Sequence, residues 1–157
     1  MKLALELDGV FGDTRPLWDA WLEDTARRLR SIAELDPAAL APDRAAAAAQ
    51  LDAWAEAGIG DWRASLARFA EDHAPVYLRP RAQVSAALRR LEAKGTGVGA
   101  FTDAPEELAR VVLSHLGATR RIEALETGEY ALERLLTRLG RGTMIVRTPD
   151  ELAQFTN

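Results

Sequence analysis

Glu6 and Asp8 stand one residue apart, where the apolar run Leu3-Ala4-Leu5 meets Gly9. Residues two apart in a strand share a side. The spacing therefore predicts two carboxylates together at the strand's C-terminal end, the edge where open parallel sheets bind ligands. Carboxylate oxygens suit a hard divalent cation, although two of them on one strand leave most of a magnesium octahedron to water. A second apolar run, Gly99-Ala100-Phe101, ends in Thr102-Asp103 before Ala-Pro-Glu-Glu. That sequence reads as a helix start, and a helix N-terminus attracts an anion. Taken singly, Asp8-Gly9 is an ordinary turn dipeptide and Thr102-Asp103 an ordinary helix entry.

The elements that must position these residues follow from periodicity. A first strand covers about 2–7, and Pro16 opens a helix expected to run to Leu35. Its face is Trp18, Trp21, Leu22, Thr25, Leu29 and Ile32, at helical spacing. A second helix is expected over 43–57 with Leu51 and Trp54 inward; it includes the alanine run 45–49, a strong helix former. Gly58 and Gly60 break it, and a third helix follows over 61–73 with Trp62, Leu66 and Phe69. From Arg79-Pro80 onward helices and strands alternate. Helices are expected over 81–93, 105–116 and 130–139, strands over 97–101, 122–125 and 143–147, and a last helix from Pro149. This order predicts an α/β, Rossmann-like parallel sheet with helices on both faces and right-handed crossovers.

Composition narrows the setting. A chain of 157 residues with 48% hydrophobic content and a net charge of −4 suits one core with a small insert. Neither nucleic acid nor membrane is an expected partner, because no basic patch or long apolar run is present. With no cysteine, disulfides and thiolate zinc sites are excluded, and a cytoplasmic setting is the expectation. The first apolar stretch reads as too short for a signal peptide. Lys2 and Lys94 are the only lysines. His73 and His115 lie near helix ends and read as capping or surface groups. The four tryptophans, Trp18, Trp21, Trp54 and Trp62, all fall in 14–79. They read first as the core of a small helical unit and secondly as an aromatic patch for a homodimer.

Glu6-Leu7-Asp8-Gly9-Val10, followed by a helical insert and then by Gly99-Ala100-Phe101-Thr102-Asp103, resembles the motif order of the haloacid dehalogenase-like (HAD) phosphatases over nearly the whole chain. The insert at 14–79 resembles the helical cap of the phosphoglycolate-phosphatase-like branch, with residues 1–13 and 80–157 as the core. Arg79-Pro80 and Lys94-Gly95 resemble the usual return into that core. The resemblance implies a phosphatase using Mg2+. It also implies that the 2–7 strand lies between those at 97–101 and 143–147, bringing Glu6, Asp8 and Thr102 to one edge. Glu6 stands at the nucleophile's position, normally aspartate, and Asp8 at that of the acid/base. Thr102 and Asp103 stand at the phosphate-binding position, and Glu6 and Asp8 are the implied metal ligands.

Against that pattern the chain departs in three places. Glu6 adds a methylene, displacing its oxygens by about an ångström, which costs on the order of a hundredfold in an aligned attack. The segment 125–140, where the third motif's lysine belongs, contains none, and its Arg134 and Arg138 have solvent-facing helical spacing. The later metal-binding aspartate is replaced by Arg147 or Thr148. Thr148-Pro149-Asp150-Glu151 reads instead as a capping box with proline at the first helical position. The resulting expectation is a degenerate HAD-like phosphatase homologue, weak or inactive, that binds Mg2+ feebly if at all. It would act as a binding or regulatory protein for an unidentified protein or small anionic ligand, with a homodimer through the cap as one arrangement. The alternative is a divergent hydrolase using Glu6, Asp8 and a weakly held Mg2+; a third reading is a subunit whose site a partner completes.

Overall fold

The computed structural model describes residues 1–29 and 36–157. Four strands, β1 (Lys2–Glu6), β2 (Gly97–Thr102), β3 (Ala124–Thr127) and β4 (Met144–Val146), form one parallel sheet in the order β3-β2-β1-β4. Leu3 lies beside Val98 and Met144, and Leu5 beside Ala100 and Val146. The first strand is thus flanked by the two expected neighbours, and the α/β parallel architecture is as the alternation of elements predicts. Helices α1 (Leu7–Val10), α2 (Arg15–Arg28), α3 (Arg44–Trp54), α4 (Trp62–Tyr77) and α5 (Ala82–Ala93) lie between β1 and β2. Then come α6 (Glu106–His115) before β3, α7 (Ala131–Leu139) before β4, and α8 (Pro149–Gln154). Among the described residues no helix is long and apolar enough to cross a membrane.

Several boundaries differ from expectation, each for a local reason. β1 stops at Glu6, and Leu7–Val10 forms a single helical turn. Leu7 and Val10 are both buried, and only a helical turn faces residues three apart to one side. Asp8 is therefore placed by a helix and not by strand alternation with Glu6. The third strand begins at Ala124 rather than at residue 122, because Thr119–Arg121 forms a 3-10 turn first. α3 ends at Trp54 in a π turn over Ala55–Ile59, where Gly58 takes φ +120°. α4 passes through Pro75 to Tyr77, beyond the end expected at residue 73. Ile32 and the helix end expected at Leu35 lie outside the described residues.

Strand alternation sorts the core. Leu3, Leu5, Val98 and Val146 join the larger buried cluster with Val84, Leu88, Leu108 and Leu152 of the helices. Ala4, Phe101 and Ala124 face the other way, under Ala131 and Leu135 of α7. Trp18, Trp21 and Trp62 belong to the larger cluster, with ring centroids 5.4 Å apart for Trp18–Trp21 and 5.9 Å for Trp21–Trp62. Burying aromatic rings of this size supplies large apolar area from few residues. Their indole nitrogens are served as well, Trp21 by Ser65 at 3.2 Å and Trp62 by Asp52 at 2.9 Å. These three tryptophans build interior, and only Trp54 is half-exposed.

Two glycines allow the close approaches on which the site depends. At Gly99 a Cβ would lie 2.7 Å from Leu135 Cδ1, so a bare backbone lets α7 settle on the sheet. At Gly9 a Cβ would fall inside contact distance of the Arg147 carbonyl oxygen. Backbone cannot step aside as a side-chain tip can, so Gly9→Ala must move α1 away from the end of β4. A destabilisation of about 1–3 kcal/mol is expected from such overpacking. A shift of the urea midpoint to lower concentration, at unchanged slope, checks it.

Candidate active site

Glu6, Asp8, Thr102 and Asp103 all line one cleft of about 550 Å³ at the C-terminal edge of the sheet. Each arrives there by a different local device. Glu6 is the last residue of β1, on the side of Ala4 and beside Phe101 of β2. Asp8 sits in the first turn of α1, where a carboxylate meets the positive end of the helix. Thr102 ends β2 and is buried, its hydroxyl accepting from Ala104 N at 3.2 Å. Asp103 follows on the loop into α6.

The centre of this cleft is a residue the sequence did not single out, Arg44. Its side chain is only 3% exposed, yet it comes from the first turn of α3. Nη2 donates to Asp8 Oδ2 at 3.0 Å and to Asp103 Oδ1 at 2.8 Å. Nε donates to the same Asp103 oxygen at 3.2 Å, and Nη1 to Thr14 Oγ1 at 2.6 Å. Asp103 Oδ2 accepts from the backbone N–H of Arg44 at 3.0 Å, so the carboxylate also closes the N-terminus of α3. Asp8 is satisfied on both oxygens. Oδ1 accepts from the backbone N–H of Thr14 at 3.0 Å and from its hydroxyl; Oδ2 accepts from the Thr102 hydroxyl at 2.8 Å besides Arg44.

The electrostatics follow from that enclosure. Burial pushes the Asp8 carboxyl up, but the Arg44 guanidinium and the hydrogen bonds from Thr14 and Thr102 together outweigh it and hold the group below the usual carboxylate range. Asp103 likewise is raised by burial and carried lower by Arg44, with Arg15 contributing. Burial works to lower Arg44, and its two carboxylate partners more than reverse that. Among the described residues no buried side-chain nitrogen or oxygen lacks a partner.

Glu6 meets a second arginine. Its Oε2 accepts from Arg147 Nη1, and the Arg147 guanidinium lies 5.6 Å from the centroid of Phe101. Of the two residues, Arg147 and Thr148, at which the resemblance implies a metal-binding aspartate, the first brings a cation to Glu6. Thr148 Oγ1 accepts from Glu151 N at 3.1 Å, and Glu151 accepts from Arg147 N at 2.7 Å, so this stretch is a helix cap as read from its sequence. Asp150 bonds to Gln83. Arg134 and Arg138 both pair with Glu126. Lys2 pairs with Glu123, and Lys94 caps the end of α5. Lys2, Arg134 and Arg138 are thus each paired with a carboxylate other than Glu6, Asp8 and Asp103. His73 bonds to the Phe69 carbonyl and His115 to that of Leu78, structural contacts in both cases.

These residues do not fit a magnesium ion. Mg2+ takes oxygen ligands in a near-regular octahedron. Here both Asp8 oxygens, Asp103 Oδ1 and Glu6 Oε2 already receive guanidinium nitrogens or hydroxyls, so an ion on them would have to displace Arg44 or Arg147. The only trace of Arg44 in the sequence is a generic one: a basic residue in a helix's first turn opposes the macrodipole and favours an anion nearby. Nothing in the spacing identified that anion as Asp8 or Asp103, which lie 36 and 59 residues away.

No protein-family model matches the sequence, and no curated protein matches it significantly. Solved structures do match in shape. A beta-phosphoglucomutase-like protein from Thermotoga maritima superposes with a TM-score of 0.54 at 17% identity, covering 99% of this chain and 82% of that one. A HAD phosphatase from Thermococcus onnurineus gives 0.53 at 17% identity, covering 99% and 97%. The fold is haloacid dehalogenase-like. Within this HAD-like fold, the segment between β1 and β2 supplies Asp8, Thr14 and Arg44, and the loop after β2 supplies Asp103.

The low-lying carboxyls set the acid limit of stability. An unfolded aspartate takes its proton near pH 4. Asp8 and Asp103 release theirs at lower pH when folded, so their contribution is complete above about pH 4 and is lost as pH falls through their folded values. Thermal unfolding between pH 2 and 6 should show that decline. Asp103→Asn should start less stable and lose less over the same interval.

Proposed function

We propose that this protein is a HAD-like phosphatase homologue whose catalytic site has been converted to a binding role. The observation that carries the proposal is the pairing of Arg44 with both Asp8 and Asp103 inside the cleft. An acid/base group must exchange protons with a leaving group. Asp8, its oxygens engaged by four donors, is poorly disposed to do so. Glu6, at the nucleophile's position, is paired with Arg147. Groups that act as a unit fail together, and the absent lysine and metal aspartate belong to that unit.

The walls of the cleft suggest the kind of occupant. Glu6, Asp8, Asp13, Asp43, Asp103, Glu129 and Glu133 face it, against Arg15 and Arg44, which are both engaged with Asp103. A small dianion entering here meets more carboxylate than free cation. Two like charges about 4 Å apart repel by roughly 4 kcal/mol at an effective dielectric of 20. We therefore favour a protein partner over a small anionic ligand. The insert at 14–79 would act as the cap through which that partner is met.

Near-background hydrolysis of p-nitrophenyl phosphate and of common sugar phosphates is expected with Mg2+ present. Calorimetric titration should find Mg2+ binding no tighter than millimolar. Glu6→Asp alone should restore nothing, since Arg44 and Arg147 keep their places. Robust hydrolysis by the unaltered protein, abolished by Glu6→Gln, would overturn the proposal in favour of a divergent hydrolase.

A further inference from the structure

Arg44 does more than obstruct. From a single nitrogen it reaches carboxylates on two separate segments, Asp8 at 3.0 Å and Asp103 at 2.8 Å, and its second terminal nitrogen reaches the Thr14 hydroxyl at 2.6 Å. The Thr102 hydroxyl, 2.8 Å from Asp8 Oδ2, completes the group. One enclosed positive charge thus bridges two carboxylates and gathers oxygens from α1, from the residue before α2 and from the loop after β2. That is the service a bound cation performs, here supplied by the chain itself. Removing the guanidinium would leave Asp8 without its cation and Asp103 with only the half-exposed Arg15, 3.7 Å away, an arrangement that favours protonation, separation or recruitment of a cation.

We infer that Arg44 is an internal counter-cation seated in a latent cation site, and that removing its side chain lets Asp8 and Asp103 hold a cation from solution. The inference rests on the reading of the cleft as arginine-occupied, and adds that occupancy, more than loss of carboxylates, withholds the site. The natural external substitute is a small guanidinium, whose planar fork matches carboxylate geometry. A divalent ion is the second candidate, because the oxygens freed are hard donors.

Scanning calorimetry of the full chain tests this without measuring turnover. Wild type should melt at the same temperature in EDTA, in low-millimolar MgCl2 and in low-millimolar methylguanidinium chloride. Arg44→Ala should melt about 10 °C lower in EDTA. Methylguanidinium or Mg2+ should return several degrees of that loss, whereas NaCl at equal ionic strength should not. The double variant Arg44→Ala/Asp103→Asn should gain nothing from either cation. If Arg44→Ala does not fold in EDTA, refolding on addition of methylguanidinium or Mg2+, with none in NaCl, is the supporting result. Failure of both cations to stabilise or refold Arg44→Ala would overturn the inference, and so would an equal gain in the double variant. Such a failure leaves the catalytically silent reading of the wild-type cleft standing, and phosphatase activity of wild type would sink that reading without touching the rescue.

Discussion

A guanidinium that is nearly cut off from water has lost most of its hydration and must recover it from fixed oxygens. Arg44 recovers it from Asp8, Asp103 and Thr14, and the arrangement of the sheet edge depends on that exchange. Asp8 is held by the turn after β1, Asp103 by the loop after β2, and Arg44 by a helix that neither strand touches in sequence. Their meeting ties α3 to the sheet at one point. Thr14 and Thr102 are drawn into the same network, each hydroxyl donating to Asp8 while accepting from another group.

The ion pair of Glu6 with Arg147 obeys different energetics. Glu6 and Arg147 have side chains 31% and 51% exposed, so water screens their attraction and the pair adds little to stability. Its consequence is positional. Arg147 lies over the Phe101 ring with its head on Glu6 and stays half-exposed, while Arg44 is buried. The two pairs differ in what a ligand would have to displace: the outer one is open to exchange with solvent, and the inner one is enclosed.

Small residues make these meetings possible. Without a side chain at Gly9, the turn holding Asp8 approaches the backbone of Arg147, and without one at Gly99, α7 lies close on the sheet. The indole cluster of Trp18, Trp21 and Trp62 gives the helices between β1 and β2 an interior continuous with that of the sheet, so α3 is presented to the cleft from a packed support. Charge placement in the site is thus underwritten by apolar packing some distance from it.

Local pattern was enough to read the sheet, because apolar runs, glycine stops and helical periodicity are properties of neighbouring residues. β1, β2, β4 and the helix cap at Thr148 were legible in that way, whereas the order of the strands and the gathering of Asp8 with Thr102 were legible from the order of the motifs and the family they resemble. Where β1 ended was not, since the burial of Leu7 together with Val10 turns the chain into a helix before Asp8. The neutralisation of the carboxylates was not legible either. Arg44 resembles any first-turn residue ahead of an alanine run, and Arg147 any residue after a strand. The sequence by itself determined which carboxylates reach the edge of the sheet. Only the tertiary structure decided which cations meet them, because an ion pair between residues 36 and 59 positions apart leaves no periodic trace along the chain.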